Sequence, residues 1–217
     1  MTMLDRAVVK PTDAGPRISL DFRHLNGWDA FRQLARSGGP NVELSVTVDA
    51  IAHVDLLVKD VPVREVFDAL IWSNELAYEQ FGSTTIVMSD VEFYDRHNRW
   101  FDYGLPASVR QSDIPERLDK LMWVEERPQQ VSEMLRYFAK HVPFNFVLYR
   151  NVDPTQLSGQ RGSCRDEFEA LLRQGQLVSE RRGSMYYITT QNEVAVREIH
   201  EASNALDPRH VSATPER

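Results

Sequence analysis

The side chains with chemical reach in this sequence are one cysteine, six histidines and a few adjacent acidic pairs. Cys164 follows Ser163 at the start of an expected helix, where the helix dipole would favour a thiolate and nucleophilic chemistry. An internal repeat aligns Cys164 with Val63, an apolar helix position, so a small buried side chain accounts for it without chemistry. His141 lies near in sequence, but a Cys-His pair needs a geometry that spacing does not supply. The histidines His24, His53, His97, His141, His200 and His210 fall one by one, with no i, i+4 pair and no cysteine at ligand spacing, which argues against a metal site. Adjacent carboxylates such as Glu125-Glu126 and Asp166-Glu167 point in different directions on a strand or helix, so they read as solvated surface rather than an acid/base pair. No phosphate-loop, dinucleotide or Gly-x-Ser-x-Gly pattern occurs. The expectation is a chain with no catalytic residue, no cofactor and no metal, and therefore not an enzyme.

Recognition by aromatic side chains is the remaining chemistry. Phe93, Tyr94, Trp100, Phe101 and Tyr103 crowd a short segment together with Asp95, Arg96, His97, Arg99 and Asp102. Flexible linkers avoid such residues, and aromatic and arginine side chains dominate protein interfaces. Phe93, Tyr94, Arg99, Trp100, Phe101 and Tyr103 are therefore candidate partner-binding residues; the competing reading folds the segment back onto the neighbouring domains. The same mixture could stack bases, yet 25 Lys plus Arg against 32 Asp plus Glu leave a formal charge of −7, opposite to a nucleic-acid-binding surface.

The elements that must position these residues belong to an ordinary folded chain. Its 217 residues allow one or two domains, and 42% apolar with 26% charged residues exclude disordered and collagenous classes. A single cysteine leaves no intramolecular disulfide. No apolar run approaches the roughly 18 residues of a membrane helix. Residues 1–16 carry two prolines and read as a flexible lead-in without the apolar core of a secretory signal, so the protein either stays inside or has its signal elsewhere.

Ile18, Leu20 and Phe22 alternate with polar residues as a half-buried strand, and Asn26 offers an N-cap to a helix carrying Trp28, Phe31, Leu34 and Ala35. Gly38-Gly39-Pro40 ends that helix, and alternation through Val42–Val48 and Val54–Val58 predicts two strands. Asp60-Val61-Pro62 starts a helix with Val63, Val66, Phe67, Leu70 and Ile71 on one face. Leu76–Gln80 and Thr84–Met88 flank Phe81-Gly82-Ser83 as a hairpin, completing a β-α-β-β-α-β-β order. The second half repeats it: a strand over Trp123–Arg127, a helix through Val131, Met134, Leu135, Phe138 and Val142, a strand over Phe144–Tyr149, a short or missing strand near Leu157, a helix capped by Ser163, and a hairpin around Gly183-Ser184. Residues 67–83 and 168–184 align at a constant offset of 101 with seven of seventeen positions identical, among them Ala69/Ala170, Leu70/Leu171, Gly82/Gly183 and Ser83/Ser184. That is the signature of a tandem duplication. Asn192 is positioned to cap a last helix through Val194, Val196 and Ile199, after which residues 205–217 read as a disordered tail.

The first copy, about residues 17–89, resembles the short N-terminal domain of secretins and TonB-dependent receptors. The resemblance rests on Ile18–Phe22, Trp28–Arg36, Val42–Val48, Val54-Asp-Leu-Leu-Val-Lys-Asp-Val-Pro-Val63, Phe67–Leu70, Leu76–Tyr78 and Thr85–Met88. The second copy, about 119–191, resembles it more weakly, with Arg161-Gly-Ser-Cys164 in place of Lys-Asp-Val-Pro. The resemblance implies an α/β (α+β) fold of two tandem domains at 17–90 and 119–191, with helices on small mixed sheets, an ordered connector at 91–118 and a terminal helix at 192–204. It implies a protein–protein interaction or assembly module of a cell-envelope machine, such as a secretion system or pilus secretin. The expected partners are protein subunits, with a homo-oligomeric ring as a possible context and neither nucleic acid nor a membrane span. The implied place is the periplasm at the outer membrane. The alternatives are a phage-tail or contractile-injection component, cytoplasmic or in a virion, and a receptor signalling domain. No barrel-forming strands follow within the chain, so it is expected to be a secretin fragment or a separate accessory protein.

Overall fold

A computed structural model describes residues 15–46, 48, 53–99, 101, 112–115, 118, 121–122, 128–152, 156–158 and 162–205. The first half runs β1 (Arg17–Leu25), α1 (Gly27–Arg36), β2 (Asn41–Leu44), β3 (Val54–Pro62), α2 (Val63–Ser73), β4 (Leu76–Phe81), β5 (Thr84–Ser89) and α3 (Asp90–His97). The second runs β6 (Leu121–Met122), β7 (Pro128–Gln130), α4 (Val131–His141), β8 (Asn145–Leu148), β9 (Gln156–Ser158), β10 (Gly162–Ser163), α5 (Cys164–Gln174), β11 (Leu177–Arg182), β12 (Met185–Thr190) and α6 (Gln191–Ala205). The fold class is α/β, as the patterning predicts.

Local chemistry sets the helix boundaries. Asn26 caps α1 by accepting from the Trp28 amide at 2.8 Å, and Ala30, Phe31 and Leu34 then face inward at helical spacing. Ser163 and Asp166 form a reciprocal capping box on α5. α2 begins at Val63 rather than around Asp60, because Val61 and Pro62 still pair with Ile18 and Arg17 at the end of β3. α6 begins at Gln191, and its Glu193 amide donates to the Thr190 hydroxyl, so Thr190 and not Asn192 acts at that end. β2 stops at Leu44, short of the expected Val48: the Ser45 amide donates to Val87, and a turn from Ser45 O to Val48 N follows, leaving Val46 exposed.

The two halves repeat in hydrogen-bond register as well as in order. In the first, β2 pairs in parallel with β5, and β5 antiparallel with β4; in the second, β8 pairs in parallel with β12, and β12 antiparallel with β11. Leu76 faces Ser89 as Leu177 faces Thr190, and Phe81 faces Thr84 as Arg182 faces Met185. Gly82 and Gly183 take φ of 59° and 53° in the two hairpin turns, a conformation that glycine adopts without a Cβ penalty. The β1–β3 ribbon has its counterpart in two pieces, β6 with β10 and β7 with β9. The third strand of the second copy is thus present as β9 and β10, while Trp123–Arg127, its expected first strand, lies outside the described residues between β6 and β7.

The copies do not keep separate sheets. β3 pairs antiparallel with β8, Leu56 opposite Val147 and Leu57 opposite Phe146, giving a five-stranded mixed sheet of order β1-β3-β8-β12-β11. The three-stranded sheet β2-β5-β4 stands apart from it. Val147, Tyr149, Met185 and Tyr187 of the second copy accordingly join the core built around Phe31, Phe67 and Leu70 of the first. A second core gathers Phe138, Phe144, Phe146, Phe168 and Ile188.

Candidate functional site

The aromatic segment packs against the first copy. Ser89 caps α3 by accepting from the Glu92 amide, and Asn98 ends it at φ 52°. This lays α3 over β4 and β5, where Phe93, 5% exposed, fills a small core with Ala77 and Met88. The Phe101 ring meets Phe93 edge-on at 5.1 Å and Tyr78 at 5.2 Å. The Arg99 guanidinium lies 5.8 Å above the Phe93 ring, and Tyr94 is half-buried. Of the six candidate partner-binding residues, Phe93 is therefore taken up by the chain's own core and Phe101 largely so. Trp100 and Tyr103 lie outside the described residues. Sequence reading missed other exposed apolar side chains, Phe81 at 59% in the first hairpin, Val46 just after β2 and Val91 on α3; no periodicity distinguishes them from core residues.

Cys164 stands at the first position of α5 with its side chain buried. Burial, and then the Glu167 carboxylate, push its thiol up to about 11. The thiolate that the helix N-terminus would favour is outweighed by desolvation.

Polar chemistry concentrates where the two copies meet. Arg136 of α4 is 4% exposed and reaches into the first copy. Its guanidinium donates to Asp55 at 3.2 Å, to Asp21 at 3.1 Å and to the Phe22 carbonyl at 2.5 Å, with a fourth bond to the Ser132 carbonyl on its own helix. For Asp21, burial pushes the carboxyl up, but hydrogen bonds from Arg23 and Arg136 outweigh it and hold the group below its ordinary range. The sequence signal was a carboxylate, Asp55, inside the apolar run Val54–Val58; a charge there requires a partner.

A second polar cluster closes the other side of the junction. Arg150 pairs with Glu75, Asn151 donates to Glu193 at 2.9 Å, and Arg182 pairs with Glu180 while stacking 5.0 Å over Trp72. Arg197 lies over the Tyr149 ring at 5.6 Å. Burial, followed by the neighbouring Glu75 carboxylate, raises Glu193 to about 7. Burial also pushes the Tyr149 hydroxyl up to about 12.

Between these clusters lies a cleft of about 140 Å³ lined by residues of both copies. His24 and His53 stand on its rim with their rings perpendicular, 6.0 Å apart. His24 Nδ1 lies 3.0 Å from Asp55, and Ser132, Leu148 and Val152 form the wall contributed by the second copy. Among the described residues no group of three or more His, Cys, Asp or Glu is placed to hold a metal ion, and no helix is long and apolar enough to cross a membrane.

No family model matches the chain, and no curated protein matches it in sequence.

Proposed function

We propose that the chain is a non-enzymatic protein–protein interaction module of a cell-envelope assembly, working in the periplasm as the resemblance of its first copy to secretin and receptor N-terminal domains implies. One observation carries the docking part of this reading: the two copies engage each other through a strand edge, β3 of the first pairing with β8 of the second. β2 is the first copy's counterpart of β8, parallel to β5 as β8 is to β12, and among the described residues it pairs only with β5. The Ser45 amide donates to Val87 on β5, so backbone alternation turns the Val42 and Leu44 amides toward the outer edge. An extended partner segment added there would gain main-chain hydrogen bonds, with selectivity from the side chains that alternate along it.

The test is affinity capture from solubilised cell envelopes of the source organism with the whole chain as bait, beside Val42→Pro, which removes an outward donor at an edge where proline is tolerated. Subunits of a secretion or pilus assembly, enriched by the parent and lost from a folded Val42→Pro variant, are the expected result. Capture of nucleic acid or tail-type proteins alone would overturn the envelope assignment. Envelope capture undiminished by the substitution would overturn the role of the β2 edge.

A further inference from the structure

We infer that α6 is a pH-gated strap across the junction of the two copies, closed while the Glu75–Glu193 carboxyl pair holds a proton and released when the pair loses it. This goes beyond the docking reading and does not rest on it. The helix is laid down with its charges inward. Glu193 and Arg197, one turn apart, are 9% and 8% exposed, while Val196 and Ile199 stand 43% and 67% exposed. A surface helix ordinarily turns its apolar stripe toward the core, and that packing supplies most of its stability. With the stripe outside, the attachment of α6 depends on charge pairing and protonation.

The groups around Glu193 come from both copies. Its carboxyl accepts from Asn151 at 2.9 Å and also hydrogen-bonds the carboxyl of Glu75, in the turn between α2 and β4. Two carboxylates share a hydrogen bond only when one of them carries a proton. The neighbouring cations are already engaged: Arg150 pairs with Glu75, Arg182 with Glu180 on β11, and Arg197 lies over the Tyr149 ring with its Nη1 3.7 Å from Glu180. Among the described residues the buried Arg197 Nε has no hydrogen-bond partner, which costs free energy in the attached state. Farther along α6, His200 Nδ1 lies 3.9 Å from Asp90 Oδ2 at the start of α3, a contact that carries charge only when the imidazole is protonated and so acts in the same sense.

The direction of the switch follows from the sign of the linkage. Burial, and then Glu75, raise Glu193 from an ordinary 4.5 to about 7 in the attached helix, and release returns it toward the ordinary value. Attachment favours the protonated carboxyl, so it is strongest below about 4.5 and weakens as pH rises to about 7. Release would uncover the face of the Tyr149 ring that Arg197 covers.

The experiment is hydrogen–deuterium exchange of the full chain at about pH 5 and about pH 7.5, each rate divided by the intrinsic rate at that pH, reading α6 beside β11 and β12. The expected result is α6 protection at least about tenfold below that of β11 and β12 at both pH values, because α6 opens without global unfolding, and a further fall of at least about tenfold at the higher pH. Glu193→Gln, whose amide donates to Glu75 as the protonated carboxyl does, should hold that fall under about twofold, and Glu75→Gln should reduce it to about threefold. Protection of β11 and β12 in each variant reports that the fold is retained. Protection of α6 equal to that of β11 and β12, or independent of pH, would overturn the strap. A fall that survives Glu193→Gln, including one that disappears only in His200→Gln, or a fall undiminished by Glu75→Gln, would overturn the carboxyl pair as its sensor.

Discussion

Replacing Arg136 by Met tests the junction most directly, because it keeps an unbranched apolar stem and removes the guanidinium. Asp55 would then be left buried, with its Oδ1 stripped of the 3.2 Å bond from Arg136. The Phe22 carbonyl would lose its partner as well. Breaking a buried ion pair from one side costs about 3–5 kcal/mol. His24 remains 3.0 Å from the other oxygen of Asp55, and Asp21 is partly solvated, so the lower end applies, about 3 kcal/mol. For a chain of this length about 1 kcal/mol moves Tm by roughly 2–4 °C, which gives a loss of about 6–12 °C. Denaturant unfolding followed by circular dichroism and by tryptophan fluorescence measures it, with Asp55→Asn and the double variant completing a cycle. The double variant should be less destabilised than the sum of the singles by about 1–3 kcal/mol, the range for residues in direct contact. A single-variant loss under about 1 kcal/mol, or additivity within about 0.5 kcal/mol, would refute the view that this ion pair ties the copies together.

Three further outcomes follow from particular residues. Glu193 is raised from an ordinary value near 4.5 to about 7, so the fold favours its protonated form; that contribution is fully present below about 4.5 and is lost as pH rises to about 7. Stability measured across this window should fall with rising pH, and Glu193→Gln should flatten the fall; an unchanged pH profile would sink the assignment. Gly82 and Gly183 share a left-handed backbone, but a Cβ on Gly82 meets nothing within 4 Å whereas one on Gly183 would lie 2.9 Å from Glu65 Oε2. Gly82→Ala should therefore cost about 1–2 kcal/mol and Gly183→Ala more, because it also disturbs the Glu65 bonds to the Ser184 amide and hydroxyl; equal losses by thermal denaturation would contradict this. Cys164, buried and with its thiol at about 11, should react with a disulfide reagent at neutral pH only at the rate of unfolding, and fast labelling of the native chain would show that it is accessible.

The duplicated elements were legible because their signals are local. The offset of 101 that aligns Gly82 with Gly183 also aligns α2 with α5 and the β4–β5 hairpin with β11–β12, residue for residue. A helical face and a left-handed turn are written within a dozen residues, so identity there reports shared structure. β9 and β10 were nearly invisible: they are three and two residues long and carry almost no alternation. The candidate partner-binding segment was legible as unusual but not as to its side; whether Phe93 faces a partner or Met88 depends on where α3 lies on β4 and β5.

The junction is the part that tertiary structure alone decided. Asp21 and Arg136 each look like an isolated surface charge in sequence, and the apolar run around Asp55 says that it needs a partner but not which one; the three become one network only when β3 pairs with β8. Ser132 and the histidines of the cleft meet for the same reason, although more than seventy residues separate His53 from Ser132. By itself the sequence determined the described helices other than α3, the hairpins and their duplication, because period and turn chemistry act between near neighbours. Which copy's edge accepts which strand depends on the burial of two faces and the pairing of charges at once, and those terms exist only after distant segments have come together.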